Sequence, residues 1–206
     1  MSRARTFADL ATASEAGDLH SPNMITNGDM SVAQRGTSST GQSSSGIKCV
    51  DQYHYLHNGG GTADISQSST APNGFKNSLK VECNAADGSL GAGEFSGIRH
   101  HIEAQHCQKL LFGTSDAKAI TISFHVRSKQ TGTYALNLFL DDDTIQFTKT
   151  YTISSADTFE KKTITFPANT SAVIEDDTGK GIEFTWWLRA GSTYTGGSAM
   201  SGYEAY

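Results

Sequence analysis

The sequence predicts an all-β protein: an antiparallel, jelly-roll-like β-sandwich over residues 21–206, preceded by a short peptide, residues 1–20, that does not join it. Three observations lead there. The first is alternation. Ile120, Ile122, Phe124 and Val126 alternate with Thr121, Ser123, His125 and Arg127, a period of two that sends one set of side chains to a core and the other to water. The second is composition. The 206 residues include 21 Gly but 3 Pro, and only 36% are hydrophobic and 18% charged, which suits short strands joined by glycine-opened turns. The third is that no helical period is sustained after residue 20, whereas strand-like runs recur at the spacing of a sandwich.

Taken in order, residues 1–20 place Phe7, Leu10, Ala11 and Ser14 on one face of a short helix that Gly17 ends. Such a helix is marginal alone and needs a partner surface. Asn27-Gly28 marks a turn. Residues 37–46 are all Ser, Thr, Gly and Gln, and with no apolar side chain to bury they read as a loop. Tyr53 and Tyr55 then alternate with His54 and Leu56, and Leu79, Val81 and Cys83 with Lys80 and Glu82. Residues 98–112 fit neither period. After the run at Ile120, Gln130-Thr131-Gly132-Thr133 reads as a hairpin connection. The returning strand carries Tyr134, Leu136, Leu138 and Leu140 on one side, and Asp141-Asp142-Asp143 turns the chain again. Ile145, Phe147, Tyr151 and Ile153 continue the pattern, then Ile164 and Phe166. Last, Ile182, Phe184, Trp186 and Leu188 oppose Glu183, Thr185, Trp187 and Arg189. The expected core therefore includes Ile120, Ile122, Phe124, Val126, Leu136, Leu138, Phe184 and Trp186.

Charge and cysteine usage exclude several classes. The formal charge is -5 with no basic cluster, so nothing supplies the phosphate-neutralising stripe of a nucleic-acid binder. No run is long and apolar enough to span a bilayer, and the N-terminus lacks the core of a signal peptide. Cys49, Cys83 and Cys107 are odd in number and far apart, which argues against a disulfide framework and for reduced thiols. The sequon at Asn169-Thr170-Ser171 carries no weight without a secretory signal.

Several groups of residues are of types that carry chemistry. His100, His101 and His106 lie near Glu103 and Cys107. These are metal-ligand types, but their spacing matches no zinc pattern, and His100 and His101 point apart on a strand. Asp141-Asp142-Asp143 and Glu175-Asp176-Asp177 suit solvated turns better than calcium. Gly59-Gly60-Gly61 lacks the strand, helix and lysine of a phosphate loop, and no Gly-x-Ser-x-Gly elbow occurs. No pair of carboxylates is singled out for glycoside hydrolysis. The reading is therefore non-enzymatic, with no catalytic residue, metal or cofactor. Trp187, on the polar side of its strand, is the candidate ligand-binding residue: it can stack on a sugar, pack at a subunit contact, or lie partly covered under a loop.

Ser2-Arg3-Ala4-Arg5-Thr6-Phe7-Ala8-Asp9-Leu10 resembles the opening of tail-fibre and appendage proteins of marine bacteriophages. Asn23 to Gly36, with Asn27-Gly28 and Gln34-Arg35-Gly36, resembles the stretch that leads into the β-sandwich of those proteins. Where that family has Asp-Arg-Trp, this chain has Asp51-Gln52-Tyr53. The run from Ile120 to Arg127, followed by Gly132-Thr133-Tyr134, is similar to the central strands of carbohydrate-binding sandwiches. The resemblance implies a virion protein made in the host cytoplasm. It would dock on other tail or capsid proteins through residues 1–20, with Arg3, Arg5, Phe7 and Leu10 as the contacts, and form a homotrimer. Binding of a host-surface glycan is an analogy of fold; the alternative is a carbohydrate-active enzyme acting on host polysaccharide. Tyr194, Tyr203 and Tyr206, with Trp187, are the aromatics expected between copies. In the family a further strand closes the sheet. Its absence predicts either a longer native chain or a neighbouring subunit over the open edge; the weaker alternative is that residues 190–206 fold back over it.

Overall fold

A computed structural model describes residues 23–195 and 200–206. Residues 1–20, with Arg3, Arg5, Phe7 and Leu10, lie outside the described residues. The chain is all-β: 46% of it is strand and 6% helix, and its sheets are antiparallel. Twelve strands are described: β1 Ser38–Gln42, β2 Gly46–Ile47, β3 Tyr53–Asn58, β4 Thr62–Ser68, β5 Ser78–Ala85, β6 Phe95–Glu103, β7 Ile120–Val126, β8 Gly132–Leu140, β9 Ile145–Ile153, β10 Glu160–Phe166, β11 Lys180–Ala190 and β12 Glu204–Ala205. No helix among the described residues is long and apolar enough to cross a membrane.

One layer is a seven-stranded sheet in the order β12-β9-β8-β11-β6-β3-β2. The opposite layer is divided into two sheets, β1-β4-β5 and β10-β7. Each packs on its own part of the large sheet. Ile120 and Ile122 of β7 and Ile164 and Phe166 of β10 meet Leu136, Leu138 and Leu140 of β8 and Phe184 of β11. Ala63 and Ile65 of β4 meet Tyr53 and Tyr55 of β3 and Ile98 of β6. Trp186 packs against both clusters. All eight expected core residues belong to this interior: Phe124, Val126 and Trp186 are half-buried, and the other five are buried. Each fully buried aliphatic or aromatic side chain stabilises the fold by about 1.5–3 kcal/mol.

Four expectations are corrected. Residues 38–42 form strand β1, not loop: this Ser/Thr/Gly segment is held by backbone pairing to β4 (Ser38 with Ser66, Ser39 with Ile65), which asks for almost no apolar burial. Gln130 to Thr133 does not make a hairpin between β7 and β8. The chain crosses between layers there, since β7 pairs with β10, and β8 with β9 and β11. The alternating side chains of β7 and β8 therefore face one another across the core instead of lying side by side. Leu188 is not enclosed by the core. The register of β11 against β6 shifts between Trp187 and Arg189, and Leu188 is 40% exposed. Finally, the end of the chain folds back along the edge of the large sheet. Glu204 and Ala205 pair with Gln146 and Ile145 at the edge of β9, Tyr206 N–H donates to the Thr144 carbonyl, and Tyr203 packs edge-on against Phe147. Tyr203 is thus part of its own chain's core.

The Asn27-Gly28 … Gln34-Arg35-Gly36 … Asp51 motif is a latch. The Asn27 side chain accepts from Val32 N–H and donates to the carbonyls of Val32 and Asp51, each at 2.9 Å. The Asp51 carboxylate accepts from Gln34 N–H at 2.8 Å and pairs with Arg35. Asn27 takes up a left-handed conformation (φ 52°) to do this, one that Asn tolerates better than most residues. The latch fixes the point at which the chain joins the sandwich.

Candidate binding cleft

Because the second layer is divided, β5 and β7 face one another without pairing. Between them lies a cleft of about 1250 Å³, larger than an ordinary small-ligand pocket. Its walls are Leu79, Val81 and Cys83 from β5 and Ile122, Phe124 and Val126 from β7. The large sheet supplies the floor, with Tyr55, Trp186, Tyr134 and Tyr151. The aromatics hold one another in place: Phe124 stands edge-on to Tyr151 at 5.1 Å and to Trp186 at 5.7 Å, and Tyr134 stacks on Tyr151 at 5.9 Å. The Tyr134 hydroxyl donates to the Gln130 carbonyl at 3.0 Å, which ties the floor to the inter-layer crossing. Burial pushes the Tyr151 phenol well above its usual range, so it stays a neutral donor.

The rim is polar. Glu82 takes Lys80 at 2.6 Å and Lys129 at 3.9 Å, the latter reaching over from the β7 side. Phe75 meets the His125 ring at 5.4 Å and bridges the walls at another point. Arg127 pairs with Asp157 at 3.2 Å. Near Gly60, Arg189 holds Asp87 at 3.1 Å and the Gly60 carbonyl at 3.0 Å. The glycine run serves close packing there: Gly61 has φ 78°, and a Cβ on it would lie 2.8 Å from the Ala85 carbonyl oxygen.

The outer face of the large sheet holds a second polar group. Glu183 is 4% exposed and receives Arg99 Nε at 2.8 Å, His101 Nε2 at 2.9 Å and Lys180 Nζ at 3.5 Å. Burial alone would raise its carboxyl, but the hydrogen bond from His101 and the charges of Arg99, His101 and Lys180 outweigh that and hold it below the usual range. His54 lies against the His101 ring at 4.8 Å, and burial with the neighbouring His101 and Arg99 lowers its pKa. The arrangement is a charge knot that ties β6 to β11.

The residues singled out in the sequence are dispersed. His100 is fully buried on the inner side, its Nε2 donating to the Thr26 carbonyl at 3.1 Å, while His101 faces outward to Glu183. His106 and Glu103 are exposed and Cys107 is buried. No three His, Cys, Asp or Glu side chains converge as a metal site among the described residues. The Asp triplet does form a turn, and its carboxylates brace a neighbouring loop: Asp141 pairs with Lys180 at 2.6 Å and Asp142 accepts from Glu175 N–H at 2.9 Å. Trp187 lies opposite the cleft, on the outer face. It stacks on Tyr194 at 6.0 Å and stands edge-on to Phe95 at 5.7 Å, so a loop partly covers it. Sequence reasoning assigned Phe124 and Trp186 to a closed core and missed that they border a cleft. Alternation reports which side of a strand is apolar but not whether the opposite layer closes over it.

Comparison with protein-family models, curated proteins and solved structures returns no match.

Proposed function

We propose that this chain is a non-enzymatic virion appendage protein, of tail-fibre type. In this reading it is made in the host cytoplasm, attaches to other particle proteins through residues 1–20, and displays a jelly-roll-like sandwich, as a homotrimer. Its cleft receives a host-surface glycan. The observation that carries the binding reading is the cleft itself. Half-buried aromatics, Phe124, Tyr134 and Trp186, border a trough wide enough for an oligosaccharide. Aromatic faces stack on the apolar faces of sugars, while Lys129, Glu82 and Arg127 at the rim offer hydrogen bonds to hydroxyls. The latch at Asn27 and Asp51 supports the attachment reading, because a docking peptide must be fixed firmly to what it displays.

The test is a glycan array with the native protein, repeated after Cys83 has been alkylated with a bulky maleimide. Cys83 is the exposed thiol of the three and lines the cleft. Binding that is lost on alkylation supports the reading. Failure to bind any host-surface sugar, or binding that alkylation leaves untouched, overturns it.

A further inference from the structure

The inner face of the large sheet carries a histidine. His100 on β6 is 0% exposed, and its strand neighbours are Phe184 of β11 and Tyr53 of β3. The Tyr53 ring stands edge-on to it at 5.0 Å. On its remaining side lies the start of the entry segment. His100 Nε2 donates to the Thr26 carbonyl at 3.1 Å and lies 3.3 Å from the Thr26 hydroxyl. Met24 and Ile25, just before it, are half-buried and pack on the core.

This setting fixes the proton. A carbonyl only accepts, so Nε2 carries the hydrogen and Nδ1 presents a bare lone pair. Nδ1 is buried and has no hydrogen-bond partner. A proton there would create a donor without an acceptor and a charge cut off from water. No neighbouring element supplies an anion to compensate. Beside Tyr53, β4 contributes Ala63 and Ile65, both apolar. His54, Arg99, His101 and Glu183 lie on the outer face of the sheet, and the charges of His101 and His54 oppose protonation. Asp29, the acid of the entry segment, is exposed, and its charge bears on Tyr53.

The imidazolium could reach water if only a few residues moved. Among the described residues, the contacts of Thr26 with His100 are the hydrogen bonds that tie residues 23–26 to the sheet; the Ile25 N–H donates locally, to the Asn23 side chain. From Asn27 onward the chain is gripped separately by Asp51, through Asn27 and Gln34, and no histidine takes part in those bonds.

We propose that His100 is an acid-operated catch: its protonation frees residues 23–26 from the sheet back to the Asn27 latch and leaves the sandwich folded. Burial holds the seated imidazole below its ordinary value, so the seated form binds fewer protons than the released one. The ratio of released to seated chain therefore grows as pH falls below about 6.5, by at most about tenfold per pH unit. Asn23 and Ile25 line the cleft beside Tyr53 and Tyr55, so release also opens that stretch of its wall. An effect on sugar binding rests on the cleft being the binding site; the release itself does not.

The test is methyl NMR of the full-length protein between pH 7.5 and pH 5, with the His100 ring followed by its nitrogen-15 shifts. The Ile25 and Thr26 methyls should move toward the shifts of an unpacked chain with the same midpoint as the His100 ring. The Leu138 methyls and the Val32 amide should stay where they are. H100Q has an amide that can donate to the Thr26 carbonyl but does not titrate, and it should keep Ile25 packed throughout. Four results each overturn the proposal: Ile25 and Thr26 unmoved at pH 5, a midpoint unlike that of the ring, the same pH-driven release in H100Q, or loss of Leu138 packing in the same step. Should H100Q fail to fold, the midpoints in the native protein still decide. The readout uses no sugar, so its failure and that of the glycan reading are separate results.

Discussion

The side-chain amide of Asn27 donates to the main-chain carbonyl of Asp51 at 2.9 Å, joining residues 24 positions apart at the point where the chain enters the sandwich. The same side chain closes the turn back to Val32. N27A removes all three hydrogen bonds and should destabilise the domain by about 2 kcal/mol, since each such bond contributes roughly 0.5–1.5 kcal/mol net. R35A should cost at most about 0.5 kcal/mol, because that guanidinium is largely in solvent. Urea midpoints for the two variants give the comparison.

The titrations of His100 and Glu183 contribute to the response to acid. His100 is buried and its pKa is lowered, first by burial, with the hydrogen bond to Thr26 only partly opposing this. The fold therefore binds its neutral form, and stability is expected to fall as pH drops below the ordinary imidazole value of about 6.5. Glu183 is held below its usual range, so the stability it contributes is present above the ordinary carboxylate value and is lost as pH falls through its lowered one. Both act in the same direction. Denaturation midpoints between pH 7 and pH 4 should fall throughout, and H100F should flatten the first part of that fall. E183Q leaves Arg99, His101 and Lys180 facing a neutral amide and should cost about 2 kcal/mol at pH 7, less than for a fully buried pair because the cations are partly in solvent.

Leucines on β8 and β11 separate core from surface. L138A opens a cavity at a fully buried site and should cost about 3 kcal/mol. L188A, beyond the register shift, should change stability by no more than about 0.5 kcal/mol. Equal costs would show that Leu188 is enclosed by the core.

The strip that closes β9 offers a fourth check. Y203A removes the ring that packs on Phe147 and Phe112 and the hydroxyl that donates to the Pro167 carbonyl at 3.0 Å. Loss of this anchor should free residues 204–206 from the β9 edge, lower stability by about 2–3 kcal/mol and promote self-association through the exposed edge. Sedimentation velocity against protein concentration measures the second effect.

Local periodicity carried the strands well. Ile120 to Val126 and Tyr134 to Leu140 alternate as the structure has them, because a half-buried strand needs one apolar face whatever it pairs with. Pairing was not legible. Gln130 to Thr133 has hairpin chemistry yet links two layers, since the partner of β7 is chosen by Ile164 and Phe166, some forty residues on. Strand β1 was hidden because a backbone-paired edge needs no apolar side chain. The outer-face knot was hidden for a related reason: Arg99, His101 and Glu183 meet only through the β6–β11 register. The cleft was least legible of all, being a property of two strands that do not pair.

The most direct test of the cleft as the binding site is a crystal structure of the protein soaked with the oligosaccharide that binds best on the array. The account predicts sugar between β5 and β7, stacked on Trp186 or Phe124 and within hydrogen-bonding reach of Lys129 or Glu82. Sugar bound instead on the outer face, over Trp187 and Tyr194, with the cleft empty, would contradict it.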